Sequence, residues 1–321
     1  MNRVISGIHH VTAIASDPQR NLDFYTQTLG LRLVKVTVNY DDPGSYHLYY
    51  GDSSGAPGSI LTFFAWSGAR RGRRGTDQAT SAAFAVPPDS LDYWERRLAD
   101  HAAPPPSITG PAIERSVTFE DPDGLLLRIV EAPGVANMPA WNSPVPAAAV
   151  IRGFHSVQLT VRSAGPTQTL LTESLGFGQV AGSAGAARYA AAGVNPARTV
   201  EIMESAEPRG SIAVGSIHHV AWRTPDDASQ AEWLRSLKGQ GYGVSPVMDR
   251  QYFHSIYFRE PGGVLFEIAT DPPGFTADEP LEDLGTRLCL PSWLEPHRDK
   301  ITGALPPLNL RGPMPKAERK D

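Results

Sequence analysis

The apolar positions near the start of the chain follow two different periods in succession. Ile8 to Ala15 is a short apolar-rich run that reads as a strand, and Gln19 to Leu29 follows with Leu22, Phe24, Tyr25 and Leu29 at helical spacing. Leu29-Gly30 supplies the helix stop. Leu31 to Val38, Tyr46 to Tyr50 and Ser59 to Trp66 then read as strands, separated by the turn-rich Asp41-Asp42-Pro43-Gly44 and Asp52 to Gly58. The predicted unit is β-α-β-β-β.

The opening of this unit recurs. Gly7-Ile8-His9-His10-Val11 is echoed by Ser216-Ile217-His218-His219-Val220 and by Gly153-Phe154-His155-Ser156-Val157. His10 precedes Gly30 by 20 residues (30 − 10), and Ser156 precedes Gly176 of Leu175-Gly176 by the same 20 (176 − 156). A second unit spans about Gln78 to Glu131, with a helix opening at Leu91 and Asp121-Pro122-Asp123-Gly124 turning into the strand Leu125 to Val130. The third and fourth units span about Gly153 to Glu204 and Ser216 to Thr270. The expected fold class is α+β, with four βαβββ modules paired into two barrel-like domains.

The expected division is residues 1–131 for modules one and two, a Pro/Ala-rich linker over 132–151, residues 152–271 for modules three and four, and a tail over 272–321. Ser67 to Gly75, carrying Arg70, Arg71, Arg73 and Arg74, joins modules one and two and reads as a solvated loop.

A chain of 321 residues can bury a substantial core, and its net charge of −5 comes without a basic stripe. Small-molecule partners are expected, with neither nucleic acid nor membrane among them, and a homo-oligomer is left open. The first residues lack the pattern of a signal peptide and no stretch is apolar enough to span a bilayer, so the expected compartment is the cytoplasm. With Cys289 as the single cysteine, a disulfide framework and CxxC metal knuckles are excluded, and any metal falls to nitrogen and oxygen ligands.

Aligning the closing strands places Glu267, in Gly262-Gly263-Val264-Leu265-Phe266-Glu267, opposite Thr62, Arg128 and Glu201; a one-residue slip would put Phe63 in place of Thr62. At the first-strand position modules one, three and four carry His10, Ser156 and His219, and module two has no histidine there. Two imidazoles and one carboxylate with further positions open form the ligand set of non-haem Fe(II) oxygenases. His10, His219 and Glu267 can converge only if modules one and four pair around one cleft, leaving modules two and three to form a second, metal-free cleft filled by an Arg128–Glu201 ion pair. Strand alternation lets only one histidine of each pair face the cleft as ligand, and the choice falls on the two followed by valine, His10 and His219.

These residues resemble the vicinal oxygen chelate superfamily, and within it the hydroquinone-type ring-cleaving dioxygenases. The resemblance covers nearly the whole chain and is carried by Gly7 to Thr12, Val36 to Tyr40 with Tyr46 to Tyr50, Ser216 to Val220, and Tyr252 to Glu267. It implies extradiol-type cleavage of a hydroquinone or related dihydroxylated ring by O2 on Fe(II) or Mn(II), with His10, His219 and Glu267 as ligands. It also implies roles for the neighbours of the ligands. His9 and His218 would move protons or support the ligands, Tyr257 would bind the second ring hydroxyl, and Arg250 would hold negative charge. Thr12, on the same strand face as His10, and His254 are substrate-binding candidates, with His47 a further one.

Two rival readings have distinct signatures. A glyoxalase-type isomerase needs a carboxylate from the opposite module, where this chain has Thr62. A non-catalytic binding protein for a small aromatic compound would lack the ligand triad that this chain retains.

Overall fold

The computed structural model describes residues 5–310 apart from 100, 102–105, 110–114, 136–142, 184 and 194–196. The middle of the expected linker, the first four residues and the end of the tail lie outside the described residues.

Module one comprises β1 (Ile8–Ala15), α1 (Pro18–Asp23), β2 (Arg32–Asn39), β3 (Asp42–Gly51) and β4 (Ile60–Ala65). Module two comprises β5 (Gln78–Val86), α2 (Leu91–Ala99), β6 (Ser107–Thr109), β7 (Ser116–Glu120) and β8 (Leu126–Glu131). Module three adds β9 (Phe154–Val161), α3 (Ala164–Thr169), β10 (Gly178–Ser183), β11 (Ala186–Ala190) and β12 (Thr199–Glu204). Module four adds β13 (Ile217–Thr224), α4 (Asp227–Gly239), β14 (Met248–Asp249), β15 (Phe253–Arg259) and β16 (Leu265–Pro273), and α5 (Arg298–Ala304) lies in the tail.

The expected α+β architecture of paired βαβββ modules is the architecture observed. Modules one and four share an eight-stranded sheet in the order β14-β15-β16-β13-β1-β4-β3-β2, and modules two and three share another in the order β10-β11-β12-β9-β5-β8-β7-β6. Each sheet has an antiparallel seam between first strands, β1 with β13 and β5 with β9. The first sheet is curled: Asp41, in the β2–β3 loop at one edge, reaches Arg250, beside β14 at the other, with Oδ2 to Nη2 at 3.1 Å.

Helix α1 starts on Asp17, whose side chain accepts from the Arg20 N–H at 2.8 Å, with Pro18 in the first turn. It closes through a π turn over Phe24–Thr28, and α3 closes through a matching one over Leu170–Ser174. Gly30 and Gly176 follow at φ 69° and 77°, a left-handed conformation that explains the Leu-Gly repeat. One predicted turn lies elsewhere. The β2–β3 hairpin turns on Tyr40-Asp41, and Asp42, Pro43 and Gly44, expected in the turn, begin β3. Pro43 is tolerated at the end of an outer hairpin, where a missing N–H costs little.

Carboxylates at the hairpins before the closing strands tie the modules together in a second way. Asp121 of module two accepts from the Tyr25 hydroxyl of module one at 2.9 Å, and Asp123 accepts from the Ser16 backbone at 2.8 Å. In module four Glu260 accepts from the Thr167 hydroxyl of module three at 2.7 Å. The arginine-bearing connector is exposed, as expected of a solvated loop, and Arg73 donates to the Arg209 carbonyl at 2.8 Å.

The tail covers the edge strand of the first sheet. Val36 of β2 bridges Leu288, and the Cys289 N–H donates to the Val36 carbonyl at 2.9 Å. Beneath this strap Lys35 is wholly buried, its Nζ 2.6 Å from Asp278 Oδ1 and in contact with Glu279 Oε2. Removing the cation would leave the buried Glu279 with Arg287 and the part-exposed Asp278 with the Tyr252 hydroxyl as their remaining partners. Lys35→Met is therefore expected to destabilise the protein by about 3–5 kcal/mol and to raise amide exchange across residues 278–289. Urea unfolding and hydrogen–deuterium exchange would read both, and an unchanged midpoint would show that the strap is held by other contacts.

Candidate metal centre and cavity

The seam between β1 and β13 carries both histidine pairs. Its register steps from Ile8↔Trp222 to His10↔Ala221, leaving His9 as an extra residue, and from Thr12↔His219 to Ala13↔Ile217, leaving His218 extra. Each pair thus sits on a β-bulge, and strict alternation fails there. Within each pair the imidazoles stand side by side, His9 Nδ1 2.9 Å from His10 Nδ1 and His218 Nδ1 2.7 Å from His219 Nδ1, while among the described residues His10 and His219 are the two that join Glu267 in a group able to hold a metal.

The closing strands complete the group. Ala221 pairs with Glu267 and Thr12 with Thr62, each two residues beyond its histidine, so Thr62 and not Phe63 is the counterpart of Glu267. His10 Nε2 and His219 Nε2 are 3.3 Å apart, and Glu267 Oε2 lies 3.3 Å from the first and 2.9 Å from the second. All three residues are buried and form a group able to hold a metal ion.

Two features of the donor set fit a cation. Ser255 donates to Glu267 Oε1, whereas Oε2 is buried without a hydrogen-bond partner among the described residues. Burial works to raise the Glu267 pKa, but the two imidazoles more than offset it and hold the carboxyl well below its ordinary value, so the group is a carboxylate. Burial lowers the pKa of His219 and pushes His218 down to about 3, while His9 also falls well below the usual histidine value through burial and the adjacent His10. A neutral His9 or His218 can accept at Nδ1 from its neighbour, the tautomer that would free Nε2 of His10 and His219 for a metal.

The group opens into a cavity of about 320 Å³. Thr12, His218, Tyr257 and Arg250 line it together with His10 and His219. Arg250 Nε donates to the Tyr257 hydroxyl at 3.2 Å. Burial raises the Tyr257 pKa, keeping the hydroxyl protonated. His9 is buried behind the cavity against Phe253, with ring centroids 5.0 Å apart, and does not line it.

His254 is misplaced by the substrate-binding assignment. On β15 the residues at 253 and 257 line the cavity and Ser255 meets Glu267, so alternation turns 254 outward. Its Nδ1 lies 2.6 Å from Asp227 Oδ1 on α4.

His47, only a further candidate from sequence, is well placed. Its Nε2 lies 2.7 Å from the Thr62 hydroxyl and its Nδ1 2.9 Å from the Tyr49 hydroxyl, and Thr62 donates onward to Thr12 at 2.9 Å. Sequence reading did not single out Ser255 or Trp66. Counting by twos from Tyr257 and from Thr62 would have found both.

The second sheet repeats the backbone plan with different chemistry. Its seam is bulged at Thr80 and His155, and Ser81 and Ser156 stand where the other sheet has its inner histidines. Arg128 Nη2 lies 2.7 Å from Glu201 Oε2, and Arg188 Nη2 lies 2.9 Å from Oε1, so the expected ion pair is present with a second arginine added.

The comparisons with known proteins agree with this architecture. Residues 7–129 and 153–268 match the family described as the Glyoxalase/Bleomycin resistance protein/Dioxygenase superfamily. The chain belongs to that superfamily. It is 45% identical over 312 residues to "Putative ring-cleaving dioxygenase MhqO" of Bacillus subtilis, covering 97% of this chain and 99% of the relative. It is 32% identical over 305 residues to the chlorohydroquinone/hydroquinone 1,2-dioxygenase of Sphingobium indicum, covering 92% and 95%. These full-length matches place it with the enzymes named ring-cleaving dioxygenases. A crystal structure of a Bacillus subtilis protein likewise named a dioxygenase superposes with a TM-score of 0.91 at 43% identity, covering 97% of this chain and 100% of that one. Glyoxalase I from Zea mays shares the fold at a TM-score of 0.61 and 14% identity, covering 83% and 92%. Among the described residues no helix is long and apolar enough to cross a membrane.

The Arg128–Glu201 pair generates a pH prediction. Burial works to raise the Glu201 pKa, but Arg128 and Arg188 outweigh it and hold the carboxyl below its ordinary value. A carboxylate depressed in the folded state stabilises above its unfolded pKa of about 4.3, and that contribution is lost as pH falls through the folded value. Arg128→Met should therefore flatten the loss of stability below about pH 5 without abolishing it, since Arg188 remains. Urea midpoints at neutral and acid pH would show this, and parallel profiles for the two proteins would refute it.

Proposed function

We propose that this protein is a metal-dependent, extradiol-type dioxygenase that opens the ring of a hydroquinone or related dihydroxylated aromatic with O2. The observation that carries the reading is Glu267 Oε2, buried without a hydrogen-bond partner among the described residues beside the imidazole nitrogens of His10 and His219, which line a cavity. His10, His219 and Glu267 would hold Fe(II) or Mn(II), which supplies Lewis acidity toward a ring hydroxyl and a path for electrons between ring and O2.

The protein's own groups have defined tasks in this reading. His9 and His218 accept from the inner imidazoles and fix their tautomers, as positioning residues; His218 also faces the cavity. Tyr257 remains a neutral phenol able to donate to the second ring oxygen. Arg250, in contact with Tyr257 and Asp41, holds positive charge where a ring oxygen becomes anionic. Thr12 lines the wall and is tied through Thr62 to His47. The same tie occupies the position from which an isomerase of this superfamily would present its further carboxylate. The division at 1–131, 132–151, 152–271 and 272–321 remains our domain assignment, and the single buried Cys289 suits a reducing cytoplasm.

The test is metal analysis of anaerobically purified protein, wild type beside Glu267→Ala, coupled to oxygen uptake with hydroquinone. About one iron or manganese per chain, lost with the substitution, and one O2 consumed per ring opened are the expected results. Metal without uptake on any dihydroxylated ring would overturn the dioxygenase reading, and no metal would overturn the centre itself. Ser255→Ala, which removes the donor to Glu267 Oε1, should weaken metal binding by about 10- to 100-fold, measured by equilibrium dialysis against either ion; unchanged affinity would assign Ser255 to packing.

A further inference from the structure

Three residues on one face of the closing strand of module one lead outward from the metal group. Thr62 contacts Thr12 and His47 beside the ligands, Phe64 lines the cavity with its ring 4.4 Å from that of His47, and Trp66 follows just past the strand end. At about 3.3 Å per residue, Trp66 stands roughly 13 Å beyond Thr62 along that face. Its backbone is fixed independently of its side chain, the N–H donating to the Ala15 carbonyl at 2.8 Å.

Three hollows are lined in part by Trp66. The metal cavity, of about 320 Å³, shares Trp66, His218 and Leu265 with a hollow of about 220 Å³ that reaches Asp77 and Arg259. It shares Trp66 alone with a third hollow of about 530 Å³ between Asp42 and the end of the tail helix at Leu305. Trp66 is thus the residue common to all three, and its ring stands edge-on to that of His218, centroids 6.4 Å apart, beside the reaction cavity. A cavity of about 150 Å³ accommodates a bare benzene ring, so the metal cavity already leaves room for modest substituents, and what limits a longer one is the wall it meets.

We propose that Trp66 is the specificity-determining residue of the cavity, setting how far an apolar ring substituent can extend outward from the metal group. The inference rests on the ring-cleaving reading above. An indole at a shared wall excludes by overlap: removing it joins the reaction cavity to a larger hollow, whereas shortening Leu265 opens a path only toward Asp77. Small rings, which do not reach the wall, lose little by its removal.

Anaerobic titration calorimetry on the Fe(II)-loaded protein tests this through binding, apart from turnover. The ligands are hydroquinone and 2-phenylhydroquinone, compared in wild type, Trp66→Ala, Trp66→Phe and Leu265→Ala. Wild type should bind the phenyl compound at least about tenfold more weakly than hydroquinone. Trp66→Ala should bring the two affinities together, with Trp66→Phe intermediate and Leu265→Ala less effective than Trp66→Ala. Iron content of the same samples reports folding, and Trp66→Phe carries the test if the alanine variant fails to load. Wild type that does not discriminate, or a ratio unmoved by the Trp66 substitutions, would overturn the inference while leaving the reaction intact. If wild type binds neither ring, the proposed reaction falls and this inference with it.

Discussion

The bulged antiparallel seam between β1 and β13 is the constraint on which the site depends. Without it the two histidine pairs would belong to different walls of the molecule. With it, an extra residue on each strand turns the backbone so that adjacent imidazoles stand side by side, the inner pair aimed at one point and the outer pair in contact with their second nitrogens. Glu267 reaches that point because β16 runs parallel to β13 in a register that pairs it with Ala221.

The second sheet shows how little of this arrangement is owed to the backbone alone. Its seam is bulged at the corresponding residues, and its closing strands present Arg128 and Glu201 in register with Thr62 and Glu267. What differs is the set of neighbours. Around Glu201 two guanidinium groups neutralise the carboxylate, whereas Glu267 has two imidazole nitrogens beside Oε2 and no guanidinium among its ion-pair partners in the described residues, a donor set suited to a cation. One fold, used twice, offers a centre on one side and a filled cleft on the other.

Much of this was legible in the chain because repetition amplifies weak local signals. The His-His pairs, the Leu-Gly helix stops and the closing-strand alignment each recur, and together they specify the module pairing and the three convergent residues. The misses are of another kind. Bulges and the two-residue Tyr40-Asp41 turn depend on ladder geometry that alternation cannot anticipate, and the bulges set the imidazoles of each pair side by side, with His218 lining the cavity and His9 behind it. His254 was attractive by residue type, yet one step of the pleat sends it to the opposite face beside Asp227. Lys35 and its carboxylates belong to segments 243 and 244 residues apart, a separation at which no local pattern reports contact.

The pairing of the outermost modules also governs how the molecule can be made. β1 leaves the ribosome well before its seam partner, which lies about two hundred residues downstream, so the edge that carries His9 and His10 waits unpaired while the inner modules, adjacent in sequence, can close their own sheet. High contact order of this sort slows folding and leaves a strand edge open to the wrong partner. The ligand set is consequently complete only once the fourth module has been made, after both halves of the second sheet are already in hand.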